Sequence, residues 1–168
     1  MIEAVIFDLD GTLIRLPIEY GKLFHEVERI MKTKNARPLL KTIAEANEEQ
    51  KKEIFEAWDK IEANTLSDAT PNKEGMNLFE QFRQKPKILV TMQGKKTVNR
   101  ILDRFDLSFR ETVTREDSVS RNEQLEIALK KLGVQPENVL FVGNEDHDRD
   151  AAKKVGCQFR RVQNESMV

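Results

Sequence analysis

Acidic and hydroxyl side chains follow the first apolar run of the chain, in the string Asp8-Leu9-Asp10-Gly11-Thr12. Residues i and i+2 of an extended segment point to the same side, so Asp8 and Asp10 can face one site while Leu9 enters the core. Hydrolysis of a phosphate monoester is extremely slow without a catalyst, and it needs charge neutralisation, a positioned nucleophile and a proton donor. One of these carboxylates could attack phosphorus while the other moves protons. The pair therefore predicts nucleophilic and acid–base chemistry on a phosphoryl group.

The same loop indicates which cofactor this chemistry would use. Two acids this close do not both ionise easily unless a cation is present. A metal ion stabilises the charged nucleophile while the second acid can hold a proton. The available ligands are oxygen atoms, which suits Mg²⁺. Gly11 permits a sharp backbone turn toward a phosphate and Thr12 can hydrogen-bond within the loop, so we expect both to contact substrate.

Alternating strands and helices predict the sheet that would position this loop. The buried strands are predicted within residues 2–9, 87–91 and 138–143, which are apolar runs, and two shorter strands are predicted within 109–114 and 158–162. Apolar side chains at helical spacing separate these strands. The pattern predicts an α/β fold, with a Rossmann-like three-layer αβα core around a parallel sheet.

A different pattern fills the segment between the first strand and residue 71. Apolar positions at intervals of three and four predict three helices, at residues 20–31, 39–44 and 54–61. The charged stretch at 45–53 is expected to precede the third helix.

Two parts of the chain are therefore expected. Residues 1–14 and 71–168 should form the Rossmann-like core. Residues 15–70 should form a small all-helical cap inserted after the first strand. A chain of 168 residues is long enough for one core domain with a modest insertion.

The composition excludes several classes of partner. With 39% hydrophobic and 34% charged residues, the chain can fill a core and cover its surface. The net charge of −1 provides no field for a polyanion, so we expect no nucleic acid partner. No apolar run approaches the roughly 20 residues that span a bilayer, so we expect no membrane partner. The single Cys157 excludes a cysteine-based zinc site and agrees with a cytoplasmic protein.

Polar residues also follow two later strands of the predicted sheet. Thr91 ends the strand at 87–91, and Asn144, Glu145, Asp146 and Asp148 follow the strand at 138–143. In an open α/β sheet, ligands bind beyond the carboxyl ends of the strands. We therefore expect these residues to share one pocket with the first loop.

The string IFDLDGTL, residues 6–13, resembles the first signature of the haloacid dehalogenase superfamily, in its phosphatase branch. The resemblance implies that Asp8 is the nucleophile and a Mg²⁺ ligand. It implies that Asp10 is the general acid and base, and that Asp10 also binds the metal through its backbone carbonyl. The implied activity is hydrolysis of a small phosphorylated metabolite through an aspartyl-phosphate intermediate, by a monomer or homodimer.

Two further signatures of the superfamily have counterparts here. The string ILVTMQG, residues 88–94, resembles the second signature, which implies that Thr91 hydrogen-bonds the phosphoryl group. Gln93 in the same string is expected to contact substrate. The third signature is a Lys or Arg, and Arg121 at the start of a predicted helix fits it. Lys95 and Lys96 remain alternatives for this phosphate-binding role.

The string GNEDHDRDAAKKVG, residues 143–156, resembles the fourth signature with one departure. Asp148 matches the second acid of that signature, but Asn144 occupies the place of the first. An amide oxygen can still bind Mg²⁺, although it removes one negative charge, and Glu145 or Asp146 could be the ligand instead. This departure leaves an alternative, a degenerate and non-catalytic relative that binds a phosphorylated ligand or a protein partner.

Some conspicuous residues are not assigned to the site. His25 and His147 are expected at the surface or in packing, and Trp58 is expected to pack within the cap. Tyr20 and Arg15 lie close after the first loop in sequence and could line the substrate pocket.

Overall fold

A computed structural model describes residues 1–163 of the chain. In chain order the strands are β1 (Ala4–Phe7), β2 (Ile14–Arg15), β3 (Thr70–Pro71), β4 (Lys87–Val90), β5 (Glu111–Val113), β6 (Val139–Gly143) and β7 (Gln158–Arg161). The helices are α1 (Tyr20–Met31), α2 (Leu39–Ala44), α3 (Glu48–Ala63), α4 (Lys73–Gln81), α5 (Lys95–Arg104), α6 (Arg121–Leu132) and α7 (Asp146–Val155). Within the described part of the chain, no helix is both long and apolar enough to cross a membrane.

Five of the strands form one parallel sheet in the order β5-β4-β1-β6-β7. Successive side chains of a strand point to opposite faces. Val5 and Phe7 accordingly pack with Leu78 of α4 and the apolar side of α5. Ala4 and Ile6 pack on the other face with α6 and α7. The predicted three-layer αβα core is confirmed.

The register of the sheet brings the polar loops together. Phe7, the last residue of β1, is level with Leu89 of β4 and with Val142 of β6. The residues that follow these three strands therefore emerge at one edge of the sheet. The site predicted from the strand ends lies at this edge.

Helices α1, α2 and α3 lie between β2 and β3 in the chain and pack around a further hydrophobic cluster, to which Met92 from the loop after β4 also belongs. Its fully buried members include Leu23, Val27, Ile43, Ile54 and Trp58. One prediction about these helices was wrong, because α3 begins at residue 48, inside the charged stretch that was expected to precede it.

The early start of α3 has a local cause. The Asn47 side chain accepts a hydrogen bond from the Gln50 amide, and the Gln50 side chain accepts one from the Asn47 amide. This capping box satisfies two amides that the first turn of a helix leaves free. Strands β2 and β3, which the sequence did not reveal, form a two-residue antiparallel pair where the chain leaves and re-enters the core.

Candidate active site

The loop after β1 holds Asp8 in a fixed orientation. The Thr12 hydroxyl donates to Asp8 Oδ2 at 3.0 Å, and both residues are buried. Gly11 has a φ of 82°, a left-handed conformation that side chains rarely adopt. A Cβ atom at Gly11 would also overlap the side chain of Asn144. Only glycine allows this loop and the Asn144 loop to approach so closely.

Arg121 connects Asp8 to a second buried acid. Its Nη2 donates to Asp8 Oδ1 at 3.0 Å, and its Nε donates to Asp148 Oδ1 at 3.0 Å. Its Nη1 donates to Gln124 Oε1 at 2.7 Å. Because all three nitrogens have partners, the guanidinium plane is held in one orientation beside Asp8. The structure thus places Arg121 beside Asp8, and its role in phosphate binding stays a prediction.

Burial makes the ionised form of Asp8 costly. Loss of hydration raises the pKa of Asp8 to about 8, and the nearby Asp148 and Asp10 add to this increase while Arg121 opposes it. A cation placed against the Asp8 carboxylate would reverse part of this effect, because it favours the charged form. A cation at the acid pair stays a prediction, and the raised pKa of Asp8 agrees with it.

Asp10 is oriented by the residues that lead into the cap. Its Oδ1 accepts a hydrogen bond from the Leu16 amide at 2.9 Å, and its Oδ2 accepts one from the Tyr20 hydroxyl at 3.4 Å. Burial raises the pKa of Asp10 to about 6, against the lowering effect of these two bonds. A carboxyl group with such a pKa can release and take up a proton near neutral pH. Burial also raises the pKa of Tyr20, so its hydroxyl remains a donor.

The Asn144 side chain meets the first loop at a cluster of oxygen atoms. One end of its amide lies 3.0 Å from Asp8 Oδ2, 3.1 Å from Thr12 Oγ1 and 3.3 Å from the Asp10 carbonyl oxygen. The side-chain amide of Asn144 can take two orientations, and in one of them its NH₂ group lies at this end and donates to these oxygens. The amide oxygen placed there would complete a group of oxygen atoms from Asp8, Asp10 and Asn144, which is the donor set that Mg²⁺ prefers. The residues present fit a Mg²⁺ ion.

Asp148, the fourth predicted metal ligand, occupies a different place. Its Oδ2 accepts hydrogen bonds from the backbone amides of Asn144 and Glu145, at 3.2 and 3.1 Å. Its Oδ1 is bonded to Arg121. The side chain is fully buried and holds both the Asn144 loop and the arginine in place. The structure therefore brings Asp148 to the site through its neighbours, and its direct contact with a metal stays a prediction.

Thr91 and Gln93 follow β4 and reach the same edge. The Thr91 hydroxyl donates to the Gln93 side-chain oxygen and accepts from the Gln93 amide at 3.1 Å. Gln124, which sequence reasoning missed, donates to the Thr91 carbonyl oxygen at 2.8 Å and also accepts from Arg121. It therefore fixes the Thr91 loop relative to Arg121. Its place at the fourth position of an amphipathic helix carries no signal for this role.

Gly11, Thr12 and Thr91, which were expected to contact substrate, are buried, and none of them is among the described residues that line the cavity at this edge. That cavity has a volume of about 180 Å³. Its core side is lined by Asp8, Asp10, Met92, Gln93, Arg121, Asn144, Glu145 and His147, and its cap side by Tyr20, Leu39, Leu40 and Trp58. Tyr20 lines the pocket as predicted. His147 and Trp58, which were assigned to surface or packing, also line it.

Other candidates lie away from the cavity. Lys95 and Lys96 are exposed in the first turn of α5, and within the described residues neither lines the cavity. Asp146 is exposed and forms ion pairs with Arg149 and Arg161, so its carboxylate is engaged outside the site. Arg15 is exposed and does not line this cavity.

A second buried arginine, which sequence reasoning missed, lies between the cap helices and the core. Arg115 is 1% exposed, and its Nη1 donates to Glu62 Oε2 of α3 at 2.7 Å while its Nη2 pairs with Asp59. Glu62 also accepts hydrogen bonds from the Gly94 amide at 3.2 Å and the Thr97 hydroxyl at 3.0 Å. The long separation of these residues in sequence hides the contact. We call Arg115, Glu62 and Asp59 the cap clamp.

Comparisons with known proteins agree with this fold. The pyrophosphatase PpaX of Oceanobacillus iheyensis is 27% identical over 179 aligned residues, which cover 96% of this chain and 83% of that protein. CbbY from Rhodobacter sphaeroides, solved with phosphate, superposes with a TM-score of 0.69 at 14% identity, covering 100% of this chain and 90% of that one. A predicted phosphoglycolate phosphatase from Haemophilus somnus superposes with a TM-score of 0.62 at 19% identity, covering 94% and 84%.

The family model of the haloacid dehalogenase-like hydrolases matches residues 19–162. This segment holds the cap helices, Thr91, Arg121 and the loop from Asn144 to Asp148. The match begins after Asp8 and Asp10, whose assignment depends on their own string and on the geometry above. The chain belongs to the haloacid dehalogenase-like hydrolase family.

Proposed function

We propose that this hydrolase is a Mg²⁺-dependent phosphatase that hydrolyses a small phosphorylated metabolite through an aspartyl-phosphate on Asp8. The observation that carries the proposal is the position of Asp8, held between Arg121 and Thr12 in the wall of a cavity that also contains Asp10. The names of two relatives, a pyrophosphatase and a predicted phosphoglycolate phosphatase, support chemistry at phosphorus.

In the first half of the reaction, an Asp8 carboxylate oxygen attacks phosphorus and the bond from phosphorus to the leaving oxygen breaks. Asp10, in its carboxylic acid form, gives its proton to that leaving oxygen. The product alcohol departs, and the phosphoryl group is now bonded to Asp8. Arg121 stabilises the negative charge of the transferring group, because its guanidinium is already fixed beside Asp8.

In the second half, water attacks phosphorus and the Asp10 carboxylate accepts the proton of that water. The bond from phosphorus to Asp8 breaks, which releases inorganic phosphate and restores the Asp8 carboxylate. Asp10 is again protonated and ready for the next ester. A carboxyl group whose pKa burial raises to about 6 is suited to both steps.

The proposed Mg²⁺ ligands are a carboxylate oxygen of Asp8, the carbonyl oxygen of Asp10 and the amide oxygen of Asn144, with Asp148 supporting Asn144. A bound Mg²⁺ would supply positive charge for the phosphoryl oxygens and for Asp8. Glu145 lies next to Asn144 in the cavity wall and is the second candidate ligand.

The proposal can be tested with purified protein and a broad panel of small phosphate monoesters, assayed with Mg²⁺ and after thorough chelation. We expect hydrolysis that requires Mg²⁺. Asp8→Asn keeps the side-chain shape but removes the nucleophilic charge, so it should lower turnover by a factor on the order of 10⁴ or more in a folded protein. Hydrolysis by Asp8→Asn at the wild-type rate, or activity that survives chelation, would contradict the mechanism.

Asn144 separates this proposal from its alternative, a non-catalytic protein that binds a phosphorylated ligand or a protein partner. If Asn144 is a metal ligand, Asn144→Asp adds a charged oxygen and should lower the Mg²⁺ concentration for half-maximal activity. Glu145→Gln is the matched control, and it should leave that concentration unchanged. The opposite pattern would place the ligand at Glu145. A folded wild type and Asn144→Asp that both hydrolyse no ester would favour the non-catalytic alternative.

A further inference from the structure

The two sides of the catalytic cavity differ in chemistry. The core side provides the carboxylates and Arg121 that would hold a phosphoryl group. The cap side presents carbon atoms of Leu39, Leu40 and Trp58 and the ring of Tyr20. When Asp8 attacks phosphorus in line, the leaving oxygen of the ester lies on the side opposite Asp8, so these side chains would surround the leaving group.

Positive charge is scarce in this cavity. Of the residues within 1–163 that line it, Arg121 is the only one with a guanidinium or ammonium group. Its nitrogens already bind Asp8, Asp148 and Gln124. The remaining ionisable side chains in the wall are Tyr20, His147 and three acids, Asp8, Asp10 and Glu145. A second anionic group on the substrate would find no free cation there.

Arg115, the buried cation of the cap clamp, does not supply the missing positive charge. Arg115 has no exposed side-chain surface, and its charge is taken up by Glu62 and Asp59. Glu62 contributes negative charge that reaches both Asp10 and Tyr20. The cap side is therefore apolar where it would contact a substrate. Behind it, the cap clamp has two carboxylates for one guanidinium. An unpaired anion placed against such a surface loses its hydration without compensation.

We propose that the preferred substrate is the monoester of a small, uncharged, apolar alcohol or phenol, and that Leu39 and Leu40 of α2 determine this preference. The proposal rests on the phosphatase activity proposed above. It differs from the substrates in the relatives' names, since pyrophosphate and phosphoglycolate both have an anionic leaving group. A cavity of about 180 Å³ also restricts the size of the ester, because it is smaller than the roughly 300–1,000 Å³ of common small-molecule sites.

The experiment compares kcat/KM, in Mg²⁺, for esters that differ in charge on the leaving group. Phenyl phosphate is paired with 4-carboxyphenyl phosphate, and ethyl phosphate with 2-phosphoglycolate, and pyrophosphate is added as a separate substrate. We expect each neutral ester to exceed its anionic counterpart by about tenfold or more, since an uncompensated charge costs more than a misplaced methylene.

Variants of Leu40 connect this preference to the cap. Leu40→Lys should lower the ratio of neutral to anionic kcat/KM, because the ammonium group can pair with the carboxylate of the substrate. Leu40→Met, which conserves volume and charge, should keep the wild-type ratio. If Leu40→Lys does not fold, Leu39→Lys makes the same test at the neighbouring residue of this wall, and an unchanged ratio in that variant would overturn the role of α2.

The outcomes separate the two proposals. Equal or higher kcat/KM for 2-phosphoglycolate, 4-carboxyphenyl phosphate or pyrophosphate would overturn the inference about the leaving group and leave the phosphatase proposal intact. Unchanged ratios in a folded Leu40→Lys would overturn the role of Leu40. Failure to hydrolyse any of the five compounds, or any ester of the broader panel, would overturn the phosphatase proposal and this inference with it.

Discussion

Two buried arginines in this protein each bind two carboxylates, but only one of the two lines the cavity described above. Arg121 binds Asp8 and Asp148, and Arg115 binds two carboxylates of α3. The cluster around Arg121 forms part of the cavity wall. The Arg115 side chain has no exposed surface and lies 4.3 Å from the centre of the Trp58 ring.

A buried ion pair therefore does not by itself mark a catalytic site. What distinguishes the Arg121 cluster is access, because Arg121 and Asp8 both line the cavity that a ligand would enter. Arg115 and Glu62 have no exposed side-chain surface, although Asp59 borders a separate cavity, and the cluster connects α3 to the loop after β4 through Glu62 and Gly94. Burial raises the pKa of an acid in each cluster, Asp8 in one and Glu62 in the other. A raised pKa alone therefore does not identify a catalytic residue.

Of the three changes that test this comparison, removal of the Arg121 guanidinium should have the largest effect. Arg121→Gln should lower kcat/KM for phosphate esters by a factor on the order of 10² to 10³, since a fixed cation beside the transferring group is lost. The matched control is Arg110→Gln at an exposed position, which should keep wild-type kcat/KM. Kinetics of the folded fraction, with thermal unfolding recorded in parallel, test this. Equal effects of the two variants would assign Arg121 to structure alone.

The same kind of change in the cap clamp should act on stability instead. Glu62→Gln leaves the buried Arg115 with one carboxylate, so it should lower the free energy of unfolding by about 3 kcal/mol. Trp58 is the single tryptophan, so urea unfolding can be followed by its fluorescence. Glu56→Gln, exposed on the same helix, is the control and should change little. A stable Glu62→Gln with a large loss of turnover would reverse the comparison.

A double replacement should have the smallest effect. In Glu62→Gln with Arg115→Met, the amide oxygen can still accept from Gly94 and Thr97, and no buried guanidinium is left short of a partner. The double variant should recover at least about 1 kcal/mol relative to Glu62→Gln alone, because a broken ion pair costs more than an absent one. The same urea series measures this. Additive losses would show that Met cannot fill the space of Arg115.

The sequence predicted the parts of the molecule that depend on local pattern. The sheet, the helices and the edge where Asp8 and Asp10 lie follow from apolar runs and from polar residues at strand ends. The clamp could not be predicted, because Glu62 and Arg115 are 53 residues apart and periodicity does not encode which distant charges meet.

Other misses have similar physical causes. His147 lies in the charged first turn of α7, and only the fold brings that turn to the cavity. The start of α3 was missed because charge density suggested a solvated segment, whereas the Asn47 capping box begins a helix there. Tyr20 was predicted to line the pocket from its place near the first loop, and its bond to Asp10 required the structure.

The short β2 and β3 pair has a consequence for how such a protein can vary. Ile14 is level with Pro71 and Arg15 with Thr70, so the inserted segment leaves and returns at adjacent points. Asn72 fastens the return, because its backbone donates to the Leu13 carbonyl oxygen at 2.8 Å and its side chain to the Gly11 carbonyl oxygen at 3.2 Å. With its two ends held together by the core, doubling the length of an insertion adds only about 0.6 kcal/mol of closure entropy. The core therefore holds both ends of the inserted segment. Inserted segments of different size and specificity can replace one another at this place without a change in the residues of the loop after β1.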